Sequence, residues 1–208
     1  MDGVITDTMP YHFRAWRKVF GAHGLKVSKF DVYRREGQKG TKSIQEIFAQ
    51  AGILLTPEMA GRIIAEKELL FKKILRQRFI PGSRTLVSRL SRRGLRLALV
   101  TGTSRHEVEH TLPKGLLSLF QATITGSDVR LGKPDPEPYL KALKALKINA
   151  REAVVIENAP FGIMSAKAAG ITCYAVTTSL PKEYLGQADK VFKNMKSLTD
   201  VLIKEVNV

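Results

Sequence analysis

The sequence predicts an α/β fold: a doubly wound, Rossmann-like parallel sheet core with an inserted all-helical domain. Three observations carry this. From Leu95 onward, short apolar runs alternate with helical stretches, the pattern of parallel strands joined by crossover helices. Between residues 9 and 80 apolar residues recur at helical spacing, so that stretch reads as a block of helices. Hydroxyls, a lysine and acids stand just past the apolar runs, where open parallel sheets bind ligands.

Met1-Asp2-Gly3-Val4-Ile5-Thr6-Asp7-Thr8 sets acids where an apolar strand would end and a loop begin. Pro10 to His23 carries Phe13, Trp16, Val19 and Phe20 at helical spacing, with Pro10 in a suitable first-turn position. Gly24 stops that helix, and Lys26 to Tyr33 leads into the loop Arg35-Glu36-Gly37-Gln38-Lys39-Gly40-Thr41. Ile44, Ile47 and Phe48 resume a helix. Thr56-Pro57-Glu58 reads as an N-cap with proline at the first helical position, opening a helix from Glu58 to about Arg78. Pro81-Gly82 marks a turn, and an amphipathic helix follows through Leu86, Val87 and Leu90, ending before Gly94.

Strands are expected at Leu95 to Val100, Ala122 to Thr125, Ala153 to Ile156 and Ile171 to Val176. Helices are expected at about Arg105 to Leu112, Pro136 to Leu146 and Phe161 to Ala169, with a short strand at Ala188 to Phe192 and a closing helix at Leu198 to Val206. The core domain therefore comprises residues 1–8 and 81–208, and the helical domain residues 9–80.

A chain of 208 residues that is 44% hydrophobic has enough apolar material for a substantial interior, which excludes a disordered chain. Its formal charge of +15 would attract nucleic acid, an anionic membrane or small phosphorylated molecules. The basic residues are dispersed, with only a modest cluster at Arg84, Arg89, Arg92, Arg93 and Arg96 and no zinc-finger spacing, which argues against nucleic acid. Cys173 is the only cysteine, so no intramolecular disulfide can form, which fits a reducing cytoplasm. No apolar run approaches the about 20 residues of a membrane span, and the polar start is unlike a signal peptide. A soluble, cytoplasmic monomer is the expectation.

Four short motifs occur in order: Asp2-Gly3-Val4 with Asp7-Thr8, then Thr101-Gly102-Thr103-Ser104, then Gly132-Lys133-Pro134-Asp135-Pro136, then Glu157-Asn158-Ala159-Pro160-Phe161-Gly162. Together with Tyr11-His12-Phe13-Arg14-Ala15-Trp16 and the helical insert, this ordered set resembles the β-phosphoglucomutase-like branch of the haloacid dehalogenase superfamily. The resemblance implies a small helical cap closing over the end of the core sheet.

It also implies roles. Asp2 matches the family's general acid/base, with a loop-capping aspartate as the plainer reading. Thr101 and the amides around Gly102 match the phosphate cradle, and Lys133 matches the cation that neutralises phosphoryl charge and orients the nucleophile. Magnesium would be held by Glu157, Asn158 and the backbone carbonyl of Asp2. The family usually has an aspartate where Asn158 stands, so weaker metal binding is expected; the plainer reading of Asn158 is a turn or N-cap residue. His12, Lys39, Lys42 and Lys67 are substrate candidates on the cap, although His12 could simply pack and Lys67 could belong to a solvated helix face.

One part of the pattern falls outside the sequence. The family's nucleophilic aspartate lies two residues before the position of Asp2, at the end of the central strand. Residues 1–208 hold no such aspartate, so that strand is expected to be largely absent and an interior gap to remain between its neighbours. The implied function is a magnesium-dependent phosphatase of a small phosphorylated metabolite, such as a sugar phosphate, working through an aspartyl phosphate; the chain as given is expected to be inactive. Two alternatives stand beside it: a sugar phosphate mutase, and a phosphometabolite-binding protein without turnover. Against the mutase, Gly40 occupies the ungapped match to its phosphate-gripping arginine, and lysine lacks the bidentate fork of arginine.

Overall fold

The computed structural model describes residues 1–205. Five parallel strands form two sheets among these residues. Strands β1 (Ala98–Val100) and β2 (Ala122–Ile124) pair with each other, while β3 (Val154–Glu157), β4 (Thr172–Val176) and β5 (Lys190–Phe192) form a second sheet in that order. Side chains of β4 alternate between two apolar clusters. Cys173 and Ala175 face Ile163, Ala166 and Tyr139, whereas Tyr174 and Val176 face Leu86, Leu90, Met195 and Leu198. A strand buried on both faces, with helices on each, is the arrangement of a doubly wound sheet.

The two sheets do not join. β1 pairs only with β2 and β3 only with β4 among the described residues. An apolar cavity of about 280 Å³ lies between them, lined by Met1, Leu97, Leu99, Val154, Ile156 and Leu202 among others. Its place between the two sheets is consistent with the interior gap expected there. Residues 1–6 form no strand; Asp2 and Thr6 meet in an isolated bridge, and Thr6 bridges Phe79.

Four helices follow: α1 (Met9–Ala22), α2 (Lys29–Tyr33), α3 (Gly40–Gln50) and α4 (Pro57–Ile74). Val19, Phe20, Ile44, Phe48 and Ile63 form their shared core. The short helix α2 replaces the expected loop approach. Its signal was the Ser28-x-x-Asp31 spacing: Ser28 Oγ accepts from the Asp31 amide at 3.1 Å, and Asp31 accepts from the Ser28 amide at 3.0 Å.

Helix α4 stops at Ile74, four residues short of the expected end, because Leu75 is extended and the chain returns to the core. There the Asp7 amide donates to Arg78 O, and the Ile80 amide to Ile5 O, each at 2.9 Å. The helical block thus leaves and re-enters through one paired stem.

The remaining helices are α5 (Ser83–Arg92), α6 (Arg105–Thr111), α7 (Lys114–Leu117), α8 (Glu137–Leu146), α9 (Pro160–Ala168) and α10 (Met195–Glu205). α7 was not anticipated. α10 begins three residues earlier than expected, and Val206 lies outside the described residues.

Candidate active site

Asp2 is 2% exposed and its two carboxylate oxygens have separate partners. Oδ1 accepts from the Thr8 hydroxyl, from Thr6 Oγ1 at 3.4 Å, and lies 3.4 Å from His12 Nε2. Oδ2 accepts from Thr103 Oγ1 at 3.1 Å. Burial by itself pushes this carboxyl upward, but the hydrogen bond and charge of His12, with the Thr8 hydroxyl, outweigh it and hold the group well below the usual carboxylate range. Asp7 makes no side-chain hydrogen bond among the described residues; Thr8, next to it, buttresses Asp2 instead.

Thr101 follows β1 and is buried, its amide donating to Ile124 O at 2.9 Å and its hydroxyl accepting from the Thr103 amide at 3.2 Å. This folds Thr101-Gly102-Thr103 into a tight turn ahead of α6. Glycine is required at 102, since a Cβ there would come within 2.6 Å of Gly37 O in the loop between α2 and α3. The helical block therefore lies directly on the phosphate-loop candidate.

Lys133 is 4% exposed and donates to Glu157 Oε1 at 2.6 Å and to Val100 O at 3.4 Å. Tyr139 from α8 donates to the same Oε1 at 2.7 Å, and the Asn158 amide donates to Oε2 at 3.0 Å. Desolvation works to raise the Glu157 carboxyl; the charge and hydrogen bond of Lys133, and the Tyr139 hydroxyl, reverse it and leave the group below its ordinary value. Asn158 donates from Nδ2 to Ser179 Oγ at 2.9 Å beside Gly3.

These donors suit magnesium in kind. Glu157 supplies one carboxylate and Asn158 an amide oxygen, while no hydrogen bond among the described residues ends on the buried Asp2 carbonyl. They are few in charge: no group of three or more histidines, cysteines or acids gathers as a metal site among the described residues. The set fits a hard cation that keeps waters and takes its remaining ligands from a phosphate.

Of the cap candidates, His12 reaches Asp2 and stacks on Phe71 with ring centroids 4.1 Å apart. Lys39 and Lys67 line a cavity of about 370 Å³ between the helical block and the Thr101–Ser104 turn; Lys42 is exposed on α3 and lies outside it. Reading the residues did not single out Tyr139, Thr103 or Glu36. Glu36 stands in the loop between α2 and α3, and desolvation, aided by the negative charge of Asp2, raises its carboxyl to about 7. The flanking Gly37 was its only local signal.

Comparison with known proteins agrees with this geometry. A family model described as haloacid dehalogenase-like hydrolase matches residues 1–170. A validoxylamine A 7'-phosphate phosphatase of Streptomyces hygroscopicus subsp. limoneus is 30% identical over 94% of this chain and 91% of its own length. A phosphorylated carbohydrates phosphatase of Thermotoga maritima is 32% identical over 86% of this chain and 84% of its own. A solved structure of a candidate β-phosphoglucomutase from Bacteroides vulgatus superposes with a TM-score of 0.87 at 34% identity, covering 96% of this chain and 84% of that one. With the ordered motifs gathered at one end of a doubly wound parallel sheet, the chain belongs to the haloacid dehalogenase-like hydrolases.

Proposed function

We propose that this fold carries the site of a magnesium-dependent phosphatase acting on a small phosphorylated metabolite, a sugar phosphate, and that the core comprises residues 1–8 and 81–208 with residues 9–80 as its cap. The observation that carries the reading is the position of Asp2: its partners His12 and Thr103 both line the cavity under the helical block, so the carboxylate stands directly behind the lining of a substrate-sized space. The named activities of the relatives support the substrate class.

Each residue then has a task. The Thr101 hydroxyl and the amides after it hold phosphoryl oxygens, and the Lys133 ammonium balances their charge. As a nucleophilic carboxylate upstream of Asp2 bonds to phosphorus and the ester P–O bond breaks, the protonated Asp2 carboxyl gives its proton to the leaving oxygen; the carboxylate so formed then takes a proton from the water that hydrolyses the aspartyl phosphate. Glu157, Asn158 and the Asp2 carbonyl would hold magnesium, which supplies further charge neutralisation at the phosphoryl oxygens. The helical block excludes water from the cavity.

The family's nucleophilic carboxylate falls two positions before Asp2, ahead of residue 1, so what residues 1–208 supply to the site is phosphate binding, charge balance and the general acid/base. Phosphatase is preferred over mutase because Gly40 stands at the position that matches the mutase's phosphate-gripping arginine, while Arg35, which also lines the cavity, is engaged by Glu46 at 3.4 Å and Lys42 is exposed outside the lining. The test is calorimetric titration with inorganic phosphate in magnesium chloride. Binding by the 208-residue chain, weakened at least about tenfold by Thr101→Val and by Lys133→Met, is expected for lost charge-assisted hydrogen bonds. No binding by the unaltered chain would remove the basis of the reading.

A further inference from the structure

Helix α6 carries the string His106-Glu107-Val108-Glu109-His110, which has the H-E-x-x-H spacing of zinc-dependent hydrolases. Residues four apart are neighbours on a helix surface, so the two imidazoles leave α6 on one face. Both histidines are exposed, and their rings lie 6.5 Å apart between centroids with planes 23° apart.

Only half of the hydrolase pattern is present. In such a site the glutamate serves as general base to the metal-bound water, and a third protein ligand completes the set. Here the Glu107 side chain turns the other way, into the seam with α4, where it is 9% exposed and its Oε1 lies 3.7 Å from Lys67 Nζ. No third histidine, cysteine or acid gathers with the pair among the described residues. What remains is a pair of imidazoles able to chelate one ion, with its other positions left to water.

The surroundings favour a cation. Glu109 is exposed on the same helix, and the Arg105 guanidinium is drawn off by Asp128 Oδ2 at 2.7 Å. His110 lies in the last turn of α6, where the helix dipole is negative. Exposed rings rotate freely enough for a nitrogen of each to reach one ion at the about 2.0–2.1 Å of a zinc–imidazole bond.

We propose that His106 and His110 form a surface site for a divalent transition metal, zinc or copper. Imidazole nitrogen suits these ions, whereas magnesium prefers oxygen, so magnesium leaves the pair empty. A bound ion joins the first and last turns of a helix only 7 residues long and holds it wound. That helix follows directly on the Thr101–Ser104 turn, whose Thr103 hydroxyl donates to Asp2. The metal thus stiffens the element behind the turn without entering the cavity, whose lining includes neither histidine.

The test uses the untagged 208-residue chain in excess magnesium chloride, titrated calorimetrically with zinc chloride and, separately, followed by electron paramagnetic resonance with copper(II) sulfate. One ion per chain is expected, held by two nitrogens in the copper spectrum, with copper bound more tightly than zinc. His106→Gln and His110→Gln should each weaken zinc binding at least about tenfold, because a chelate becomes a single ligand, and the double variant should bind little more weakly than either. Saturating zinc should slow hydrogen exchange of the Val108 and Leu112 amides, which close turns of α6, by at least about fivefold. The chain's other histidines, His12 and His23, and its buried Cys173 are untouched by these substitutions, so zinc binding unchanged in either single variant places the ion elsewhere and overturns the site. No saturable binding, two weak independent ions per chain, or a copper spectrum with one nitrogen overturns it equally. Exchange at α6 indifferent to bound zinc overturns the stiffening.

Discussion

Asp2 and Glu36 are acids near one another whose environments push them in opposite directions. Because the folded-state value of Asp2 is depressed, its contribution to stability is fully present above about pH 4, the unfolded value, and is lost as pH falls below it. Urea unfolding of Asp2→Asn should therefore show a shallower acid limb than the parent chain. For Glu36, raised from 4.5 to about 7, the sign reverses: its burial costs nothing below the lower value and destabilises progressively as pH rises through the upper one. Glu36→Gln should gain on the order of 1–3 kcal/mol relative to the parent between pH 5 and pH 8, measured by the same unfolding. Tyr139→Phe removes a donor to buried Glu157 and should cost about 1–3 kcal/mol without changing the far-UV spectrum. Of the candidate site, Thr101, Glu157 and Asn158 could be picked out in the sequence because they end short apolar runs, and Asp2 and Lys133 because they stand at the spacing of a known motif. Tyr139, Glu36 and Glu107 could not, because their partners are distant in sequence and only the packing of helices brings them together.

Elements were legible where local chemistry decides them and blurred where tertiary pairing does. Thr56-Pro57 fixes the start of α4, with Thr56 Oγ1 accepting from the Met59 amide at 3.3 Å, but its end is set by the stem that Arg78 and Ile80 make with Asp7 and Ile5. No local residue signals that competition. The same stem and the Gly37–Gly102 approach hold the helical block against the core. Gly102→Ala would drive a Cβ into backbone rather than a yielding side chain, so the loop between α2 and α3 must move. It is expected to destabilise by about 1–3 kcal/mol, as overpacking does, and to weaken phosphate binding as the Thr101 turn shifts; unfolding and calorimetric titration check the two parts.

At the scale of the molecule, the gap between β1 and β3 is the feature on which the proposed activity turns. An apolar cavity of about 280 Å³ separates two sheets that each end in an edge strand, with Met1 at its lining. An apolar strand added ahead of Met1 would pair both edges and fill that space, and one ending in aspartate would set a carboxylate two residues before Asp2. Lys133, Glu157 and Asn158 are already joined by hydrogen bonds, and Lys133 also reaches Val100 O, next to Thr101. The direct measurement is magnesium-dependent phosphate release from a panel of sugar phosphates by residues 1–208 and by the same chain so extended, with hexose 1- and 6-phosphate interconversion followed in parallel. Release by the extended chain alone, exceeding interconversion and abolished by Asp2→Ala, is the predicted result. Equal magnesium-dependent turnover by both chains, lost in each with Asp2→Ala, would contradict it, because Asp2 rather than an upstream aspartate would then be the nucleophile.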